Sequence, residues 1–154
     1  MSDSKIAFQI NNTDNKIIFL SGTFDEFEIH NLAIDNNYCY RDFESFLKEN
    51  NISEKQFKGK DSEQEAKVLI SFDRWTRKLA YKEQKSIVLI DKFNPSIISN
   101  FLIKGLFMQE LMHVAKNDEK LSMKLIFVVN TKEKSLEEQI MPKILKNAYI
   151  IEKN

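Results

Sequence analysis

Three short, almost entirely apolar runs constrain the fold of this chain more than any other feature of its sequence. They cover residues 16–20, 86–91 and 124–129, and a polar residue follows or ends each of them. Runs of this length are typical of strands that are buried on both faces of a parallel sheet. Because stretches with helical spacing separate them, we expect right-handed crossovers and a three-layer α/β/α fold on a mainly parallel central sheet.

The clearest of the intervening helices is predicted over residues 62–84. Ser62 and Glu65 form a capping box, in which the two side chains bond to backbone N–H groups of the first turn. Apolar residues then recur at three- and four-residue spacing, at Val68, Leu69, Phe72, Trp75, Leu79 and Ala80. Asn94-Pro95 predicts the start of another long helix, because proline is tolerated in the first helical turn.

Shorter elements are predicted for the rest of the chain. Ile6, Phe8 and Ile10 alternate with polar residues, which indicates a strand that forms an N-terminal β-hairpin with the run at 16–20. Thr23 and Glu26 match a capping box and predict a helix that runs to about residue 34. Further predictions are a short strand at 38–40, a helix capped by Asp42, a loop at 50–61, a helix started by Ser135 and Glu138, and a strand at 148–151.

The composition predicts one globular domain and excludes several functional classes. With 154 residues, of which 42% are apolar and 30% charged, we expect a single α/β domain over residues 1–154. Lys and Arg number 23, as do Asp and Glu, so the net charge does not indicate nucleic-acid binding. A single cysteine excludes an internal disulfide framework and a multi-cysteine zinc site. The N-terminus lacks a secretory pattern and no apolar run approaches ~20 residues, which predicts a cytoplasmic protein without a membrane partner.

Polar residues follow each of the three apolar runs. The sequences there are Ser21-Gly22-Thr23, Asp91-Lys92 and Asn130-Thr131. Because ligands collect at the carboxyl ends of parallel strands, this edge of the sheet is the expected site. Gly22, Thr23 and Asn130 are the candidates for binding a cofactor, and Asp91 is the candidate for binding a metal.

The order of these elements resembles the core of AAA+ P-loop ATPases over residues 16–152. In that family Asp91 would match the Walker B aspartate, which helps to hold magnesium, and Asn130 would match the sensor-1 polar residue. Residues 140–147 resemble the segment that carries an arginine finger. The resemblance implies an all-parallel core in which the strand of Asp91 lies beside the strand of Asn130, with the strand at 16–20 on the far side of the latter.

The sequence departs from this family at the residues that handle phosphate. A Walker A loop needs Gly-x-x-x-x-Gly-Lys-Ser/Thr, whereas residues 21–28 contain one glycine, no lysine and three carboxylates, at Asp25, Glu26 and Glu28. Lys92 stands where the family has a glutamate, and Lys146 stands at the finger position, where it lacks the planar fork of arginine. We therefore expect a degenerate, non-catalytic member without a cofactor, which binds a partner protein in a larger assembly.

Two other functions remain as alternatives. Residues 8–25 and the run at 86–91 are similar to parts of STAS domains, which act as phospho-switches, and Ser96 or Ser99 would then carry the phosphate. That alternative implies an antiparallel strand at residues 6–10 in a mixed sheet. The other alternative is an enzyme in which Asp25 and Asp91, at neighbouring strand ends, hold a divalent metal.

The histidines and the cysteine are interpreted as structural residues. His30 and His113 lie far apart in the sequence and lack a metal-ligand spacing. His113 falls on the long apolar helix predicted after Asn94. Cys39 lies between two tyrosines, a context that favours packing over nucleophilic reactivity.

Overall fold

The computed structural model of the chain describes residues 2–52, 62–95 and 123–153. Helices and strands are mixed along the described parts of the sequence. In chain order they are α1 (Asp3–Asn12), β1 (Ile17–Gly22), α2 (Glu28–Asp35), β2 (Cys39–Asp42), α3 (Phe43–Glu49), α4 (Ser62–Glu83), β3 (Ile87–Asp91), β4 (Lys124–Asn130), α5 (Leu136–Gln139), α6 (Pro142–Leu145) and β5 (Tyr149–Glu152).

The strands form one five-stranded sheet in the order β2-β3-β4-β1-β5. Every pairing in it is parallel. The three apolar runs become β1, β3 and β4, which are the three inner strands, so their side chains are buried on both faces. The α/β class and the mainly parallel sheet predicted from these runs are therefore confirmed.

Helices cover both faces of the sheet. On one face, α1 and α2 contribute the buried residues Ile6, Ile10, Ile29 and Leu32 to a cluster with Leu20 and Val128. On the other face, α3, α4, α5 and α6 contribute Phe43, Phe46, Phe72, Leu136 and Ile144 to a second cluster with Phe19 and Phe127. Alternate residues of each strand serve the two clusters, which gives the three-layer arrangement.

The predicted N-terminal hairpin is wrong, because the segment is helix α1. Ile6, Ala7 and Ile10 are buried, whereas the ring of Phe8 is 67% exposed. The spacing of Ile6 and Ile10 fits one face of a helix as well as one face of a strand, and Ala7 completes the helical face. Lys124 on β4 secures the end of this helix, since its Nζ donates to the carbonyl oxygens of Ile10 at 2.8 Å and Asn11 at 3.4 Å.

The capping box predicted at Thr23 and Glu26 is also wrong, although the helix that it introduced exists. Helix α2 begins at Glu28, and its N-cap residue, Phe27, provides no side-chain cap. The Glu28 carboxylate instead accepts a hydrogen bond from the N–H of Asp25 at 3.1 Å. Glu28 thus reaches three residues back from the first helical turn, and the helix starts beyond Glu26.

The other capping predictions that fall on described residues are confirmed. Asp42 Oδ1 accepts from the N–H groups of Glu44 and Ser45 at the start of α3. Ser135 Oγ accepts from the N–H of Glu138 at the start of α5. The predicted helix at 62–84 is α4, although the side chains of Ser62 and Glu65 lie outside the described part of the chain.

Two predicted elements lie outside the described residues. These are the part of the predicted loop from residue 53 to residue 61 and nearly all of the helix predicted after Asn94-Pro95. Among the helices that the structure does describe, none combines the length and the apolar character needed to cross a membrane.

Candidate functional site

The sheet brings the polar ends of β1, β3 and β4 to one edge. Gly22 is paired with Asn130 across β1 and β4, and the N–H of Thr131 donates to the carbonyl oxygen of Gly22 at 3.0 Å. On the other side of β4, the N–H of Phe93 donates to the carbonyl oxygen of Val128 at 3.1 Å. The strand ends named from the sequence therefore lie along the same carboxyl edge, where ligands of parallel sheets bind.

The turn between β1 and α2, residues 23–27, is filled by the chain's own side chains. Lys153 follows β5 and extends over this turn. Its Nζ donates to the carbonyl oxygen of Thr23 at 2.8 Å and to Glu28 Oε2 at 2.7 Å, and it lies 5.1 Å from the ring centroid of Phe24. The same Glu28 oxygen accepts the N–H of Asp25. The cation and the carboxylate thus satisfy the carbonyl of Thr23 and the N–H of Asp25 in this turn.

The electrostatics of Glu28 follow from these contacts. Partial burial opposes ionisation, but the hydrogen bonds from Lys153 and from the N–H of Asp25 outweigh it and lower the pKa of Glu28 below 4.5. The carboxylate is consequently ionised at neutral pH. A negative charge thus occupies the first turn of α2, where the partial positive charge of the helix would otherwise attract an anion.

Gly22 is needed where β1 meets this turn. Its φ of +152° is rarely adopted by other residues, and a Cβ atom there would lie 2.9 Å from Cβ of Lys153. The close approach of Lys153 to the end of β1 therefore depends on a residue without a side chain.

Asp91 is buried at the end of β3 and both of its oxygens accept hydrogen bonds. Tyr40 Oη donates to Oδ2 at 2.5 Å, and the N–H of Lys92 donates to Oδ1 at 2.8 Å. Burial raises the pKa of Asp91, and the nearby Asp42 carboxylate raises it further, against the effect of the two hydrogen bonds. Burial and the bond to Asp91 also raise the pKa of Tyr40, so the phenol remains protonated and able to donate.

The carboxylate next to Asp91 in the sheet is Asp42 and not Asp25. Asp42 and Asp91 are directly paired at the ends of β2 and β3, whereas β4 separates β3 from β1 and hence from the turn that holds Asp25. The expectation that Asp25 and Asp91 follow neighbouring strands is therefore wrong. In the described part of the chain, no group of three or more His, Cys, Asp or Glu residues is placed to hold a metal ion.

Lys92 lies between these two carboxylates with its backbone in the left-handed region, at φ +56°. Its Nζ is 3.2 Å from Asp42 Oδ2, while the other oxygen of Asp42 caps α3. This ion pair raises the pKa of Lys92. Residues in this backbone region are uncommon unless surrounding contacts hold them, and here the bond from Lys92 N–H to Asp91 does so.

A groove of about 530 Å³ opens beside Lys92, at the ends of β3 and β4. It is lined by Glu44, Lys92, Phe93, Asn94, Asn130, Lys132, Glu133, Lys134, Glu138 and Gln139. Asn130 is fixed in its wall, because its Oδ1 accepts the N–H of Lys132 at 2.8 Å and its carbonyl oxygen accepts from Gln139 Nε2 at 3.0 Å. Gly22 and Thr23 are not among these lining residues, so the three cofactor candidates are divided between the closed turn and the open groove.

Sequence reasoning missed two residues that shape this edge, Tyr40 and Lys153. Tyr40 was assigned only to a short strand, and its bond to Asp91 depends on β2 and β3 being neighbours. Lys153 lies in no motif of the sequence. A cation that contacts a residue 130 positions away leaves no local signal.

The remaining candidates have structural surroundings or lie outside the description. The exposed His30 ring stacks on Tyr40, with 4.5 Å between the centroids and 12° between the planes. Cys39 is buried, and burial together with Glu83 raises the pKa of its thiol to about 12, which makes it unreactive at neutral pH. His113, Ser96 and Ser99 lie outside the described residues.

Comparison with models of known protein families finds no match for this chain. A comparison with curated proteins finds no match either.

Proposed function

We propose that this chain is a degenerate AAA+-like α/β module that does not hydrolyse ATP and that acts by binding a partner protein in a larger assembly. The observation that carries the proposal is the filled turn after β1. A phosphate-binding turn presents free backbone N–H groups and a lysine. Here Glu28 takes the N–H of Asp25, and Lys153 is engaged by Glu28 and Thr23.

The strand order supports the AAA+-like part of this proposal. The resemblance implies that the strand of Asp91 lies beside that of Asn130, with β1 beyond it, and the sheet has the order β3-β4-β1 at its centre. The STAS alternative implies an antiparallel strand at residues 6–10, where the chain forms α1. We therefore do not propose the STAS function.

The surroundings of Asp91 support the non-catalytic part. A carboxylate that binds magnesium must be open to the ion, whereas Asp91 is 7% exposed and its two oxygens already accept bonds from Tyr40 and Lys92. Lys92 itself is paired with Asp42. We therefore do not propose a metal-dependent enzyme that uses Asp25 and Asp91.

Titration calorimetry with ATP and magnesium tests the nucleotide half of the proposal. The wild-type chain is expected to give no heat of binding, and a phosphate-release assay is expected to show no hydrolysis. The variant Lys82→Met is the matched control, since it removes an exposed lysine at the end of α4 that belongs to no part of the phosphate machinery. A saturable micromolar site for ATP in the wild type would overturn the proposal, and its persistence in Lys82→Met would exclude nonspecific attraction to surface lysines as the cause.

A further inference from the structure

Helix α2 carries apolar side chains on two opposite sides. On the inner side, Ile29 and Leu32 are buried in the core. On the outer side, the side chains of Phe27 and Ile34 are 64% and 65% exposed. Phe27 continues the helical backbone, because its carbonyl oxygen accepts the N–H of Asn31 at 2.9 Å. Since residues seven positions apart lie on the same side of a helix, Phe27 and Ile34 form an apolar stripe that faces solvent.

The surface around this stripe is acidic. Residues 17–40 contain no lysine or arginine, but they contain four carboxylates, at Asp25, Glu26, Glu28 and Asp35. Lys153 pairs with Glu28, whereas the other three are exposed and form no ion pair in the described ranges. Helix α1, on the same face of the sheet, adds Asp3 and Lys5, whose charges cancel. The surface of α2 therefore keeps a net negative charge, although the whole chain has a net charge of zero.

We infer that this face of α2 binds a basic amphipathic helix of the partner protein. The inference rests on the proposed function and specifies the partner's chemistry. The apolar side of the partner helix packs against Phe27 and Ile34, because side chains at helical spacing form ridges that fit the grooves of a second helix. Its lysines or arginines pair with Asp25 and Glu26 at one end of the stripe and with Asp35 at the other, and this complementarity selects the partner.

The charge of this face disfavours the other occupants of an apolar surface. A second copy of the chain, docked by the same face about a two-fold axis, would bring the carboxylates of the two copies together. A nucleic acid or an anionic lipid surface would meet the same negative charges. A cationic helix with one apolar side matches both the stripe and the carboxylates around it.

Fluorescence anisotropy with a labelled basic peptide tests the inference. The peptide has about 18 residues, which exceeds the ~12–15 residues below which isolated helices are marginal. Leu recurs in it at three- and four-residue spacing, and Lys fills the remaining positions. A second peptide with Glu in place of Lys is the charge control. At low ionic strength the wild-type chain is expected to bind the Lys peptide at least about tenfold more tightly than the Glu peptide.

A pair of matched variants tests the apolar stripe. Phe27→Ala/Ile34→Ala removes the stripe, whereas Ile70→Ala/Tyr81→Ala removes two exposed side chains of α4, on the opposite face of the sheet. The stripe variant is expected to bind the Lys peptide about tenfold more weakly than the wild type, and the control less than about twofold more weakly. Thermal melting by circular dichroism verifies that both variants fold.

A second pair of variants tests the carboxylates. Glu26→Gln/Asp35→Asn removes two charges beside the stripe, and Glu133→Gln/Glu137→Gln removes two exposed charges elsewhere. The first variant is expected to bind the Lys peptide about threefold more weakly at low ionic strength, and the second less than about 1.5-fold more weakly. Added salt should reduce the difference between them, because it screens exposed charges.

Three results would overturn the inference. The wild type binds neither peptide or binds both equally; a variant at the stripe loses no more affinity than its control, which indicates nonspecific attraction; or light scattering shows a dimer of the wild type that the stripe variant abolishes, which assigns the face to a second copy. None of these results depends on ATP binding, so the nucleotide experiment separately decides whether the proposed function fails.

Discussion

Two parts of the same sheet edge differ in their accessibility to a ligand. At the end of β1, the turn is closed by Lys153, Glu28 and backbone groups. The next two strands of the sheet are β4 and then β3. At their ends a groove is open, and the buried Phe93 is part of its lining. Both places lie at the carboxyl ends of parallel strands, where ligands bind. Side chains of the chain itself cover the end of β1 and leave the ends of β3 and β4 accessible.

The comparison shows that the carboxyl edge of a parallel sheet is not one site. Closure of the β1 end depends on ionic and polar contacts from a distant part of the sequence. The open groove depends on aromatic packing beneath it, because Phe93 lies with its ring centroid 4.8 Å from that of Phe127 and 5.0 Å from that of Phe43. Substitutions in the two regions should therefore change the free energy of unfolding by different amounts. The change at the closed turn should also depend on pH, because an ion pair contributes to it.

The largest effect is expected below the groove. Phe93→Ala removes a ring that is 4% exposed and leaves a cavity beside Phe43 and Phe127, which should lower the free energy of unfolding by about 3–5 kcal/mol. Urea denaturation measures the change. Phe27→Ala, at an exposed ring at the end of the closed turn, is the control and should change stability by less than about 0.5 kcal/mol. Equal effects at the two positions would show that the groove floor is not part of the core.

A smaller effect is expected at the closed turn itself. Gly22→Ala places a Cβ atom 2.9 Å from Cβ of Lys153 in a backbone conformation that alanine rarely adopts. We expect a loss of about 1–3 kcal/mol in urea denaturation. Thr23→Ala changes the following residue, which is exposed, and should have little effect on the free energy of unfolding. If Gly22→Ala is as stable as the wild type, Lys153 does not approach the turn as closely as described.

The smallest effect is expected for the ion pair that closes the turn. Lys153→Met should cost about 1 kcal/mol at pH 7, because Glu28 and the carbonyl of Thr23 lose their donor. Since the pKa of Glu28 is lowered in the folded state, its contribution is present above the ordinary value of 4.5 and is lost as the pH falls through the lowered pKa.

Urea denaturation at pH 7 and at pH 3 measures this dependence. The difference between wild type and Lys153→Met should shrink at the lower pH, because pH 3 lies below the ordinary carboxyl pKa of 4.5 and the contribution of Glu28 to stability is smaller there. Lys146→Met should match the wild type at both values. A difference that is unchanged between the two pH values would show that Glu28 is not the partner of Lys153.

The strands could be predicted from the sequence because their environment is nearly uniform. Residues 17–20, 88–91 and 125–129 are buried, and they form most of the three apolar runs, so apolarity alone predicts these strands. Residues 6–10 could not be assigned in the same way, since Ile6 and Ile10 fit both a strand and a helix. The large Phe8 side chain suggested the strand, whereas burial of the small Ala7 shows the helix.

The sequence predicts which residues lie at the strand ends of the candidate site, but it does not predict their contacts. Asp91 and Asn130 could be placed at the edge because they end apolar runs. Which residues fill or line that edge depends on strand order, since Tyr40 reaches Asp91 only because β2 and β3 are neighbours, and Lys153 reaches Thr23 only because β5 pairs with β1. These contacts join residues far apart in the sequence, and local patterns do not contain them.

Pairing between β1 and β5 also has a consequence for the order of folding. Contacts over such a long stretch of chain carry a high entropic cost and tend to form late. Before β5 docks, Lys153 is absent from the turn, and the backbone after β1 is exposed to solvent. Any state of the chain in which β5 is undocked therefore exposes the carbonyl of Thr23 and the carboxylate of Glu28, which Lys153 contacts in the native fold.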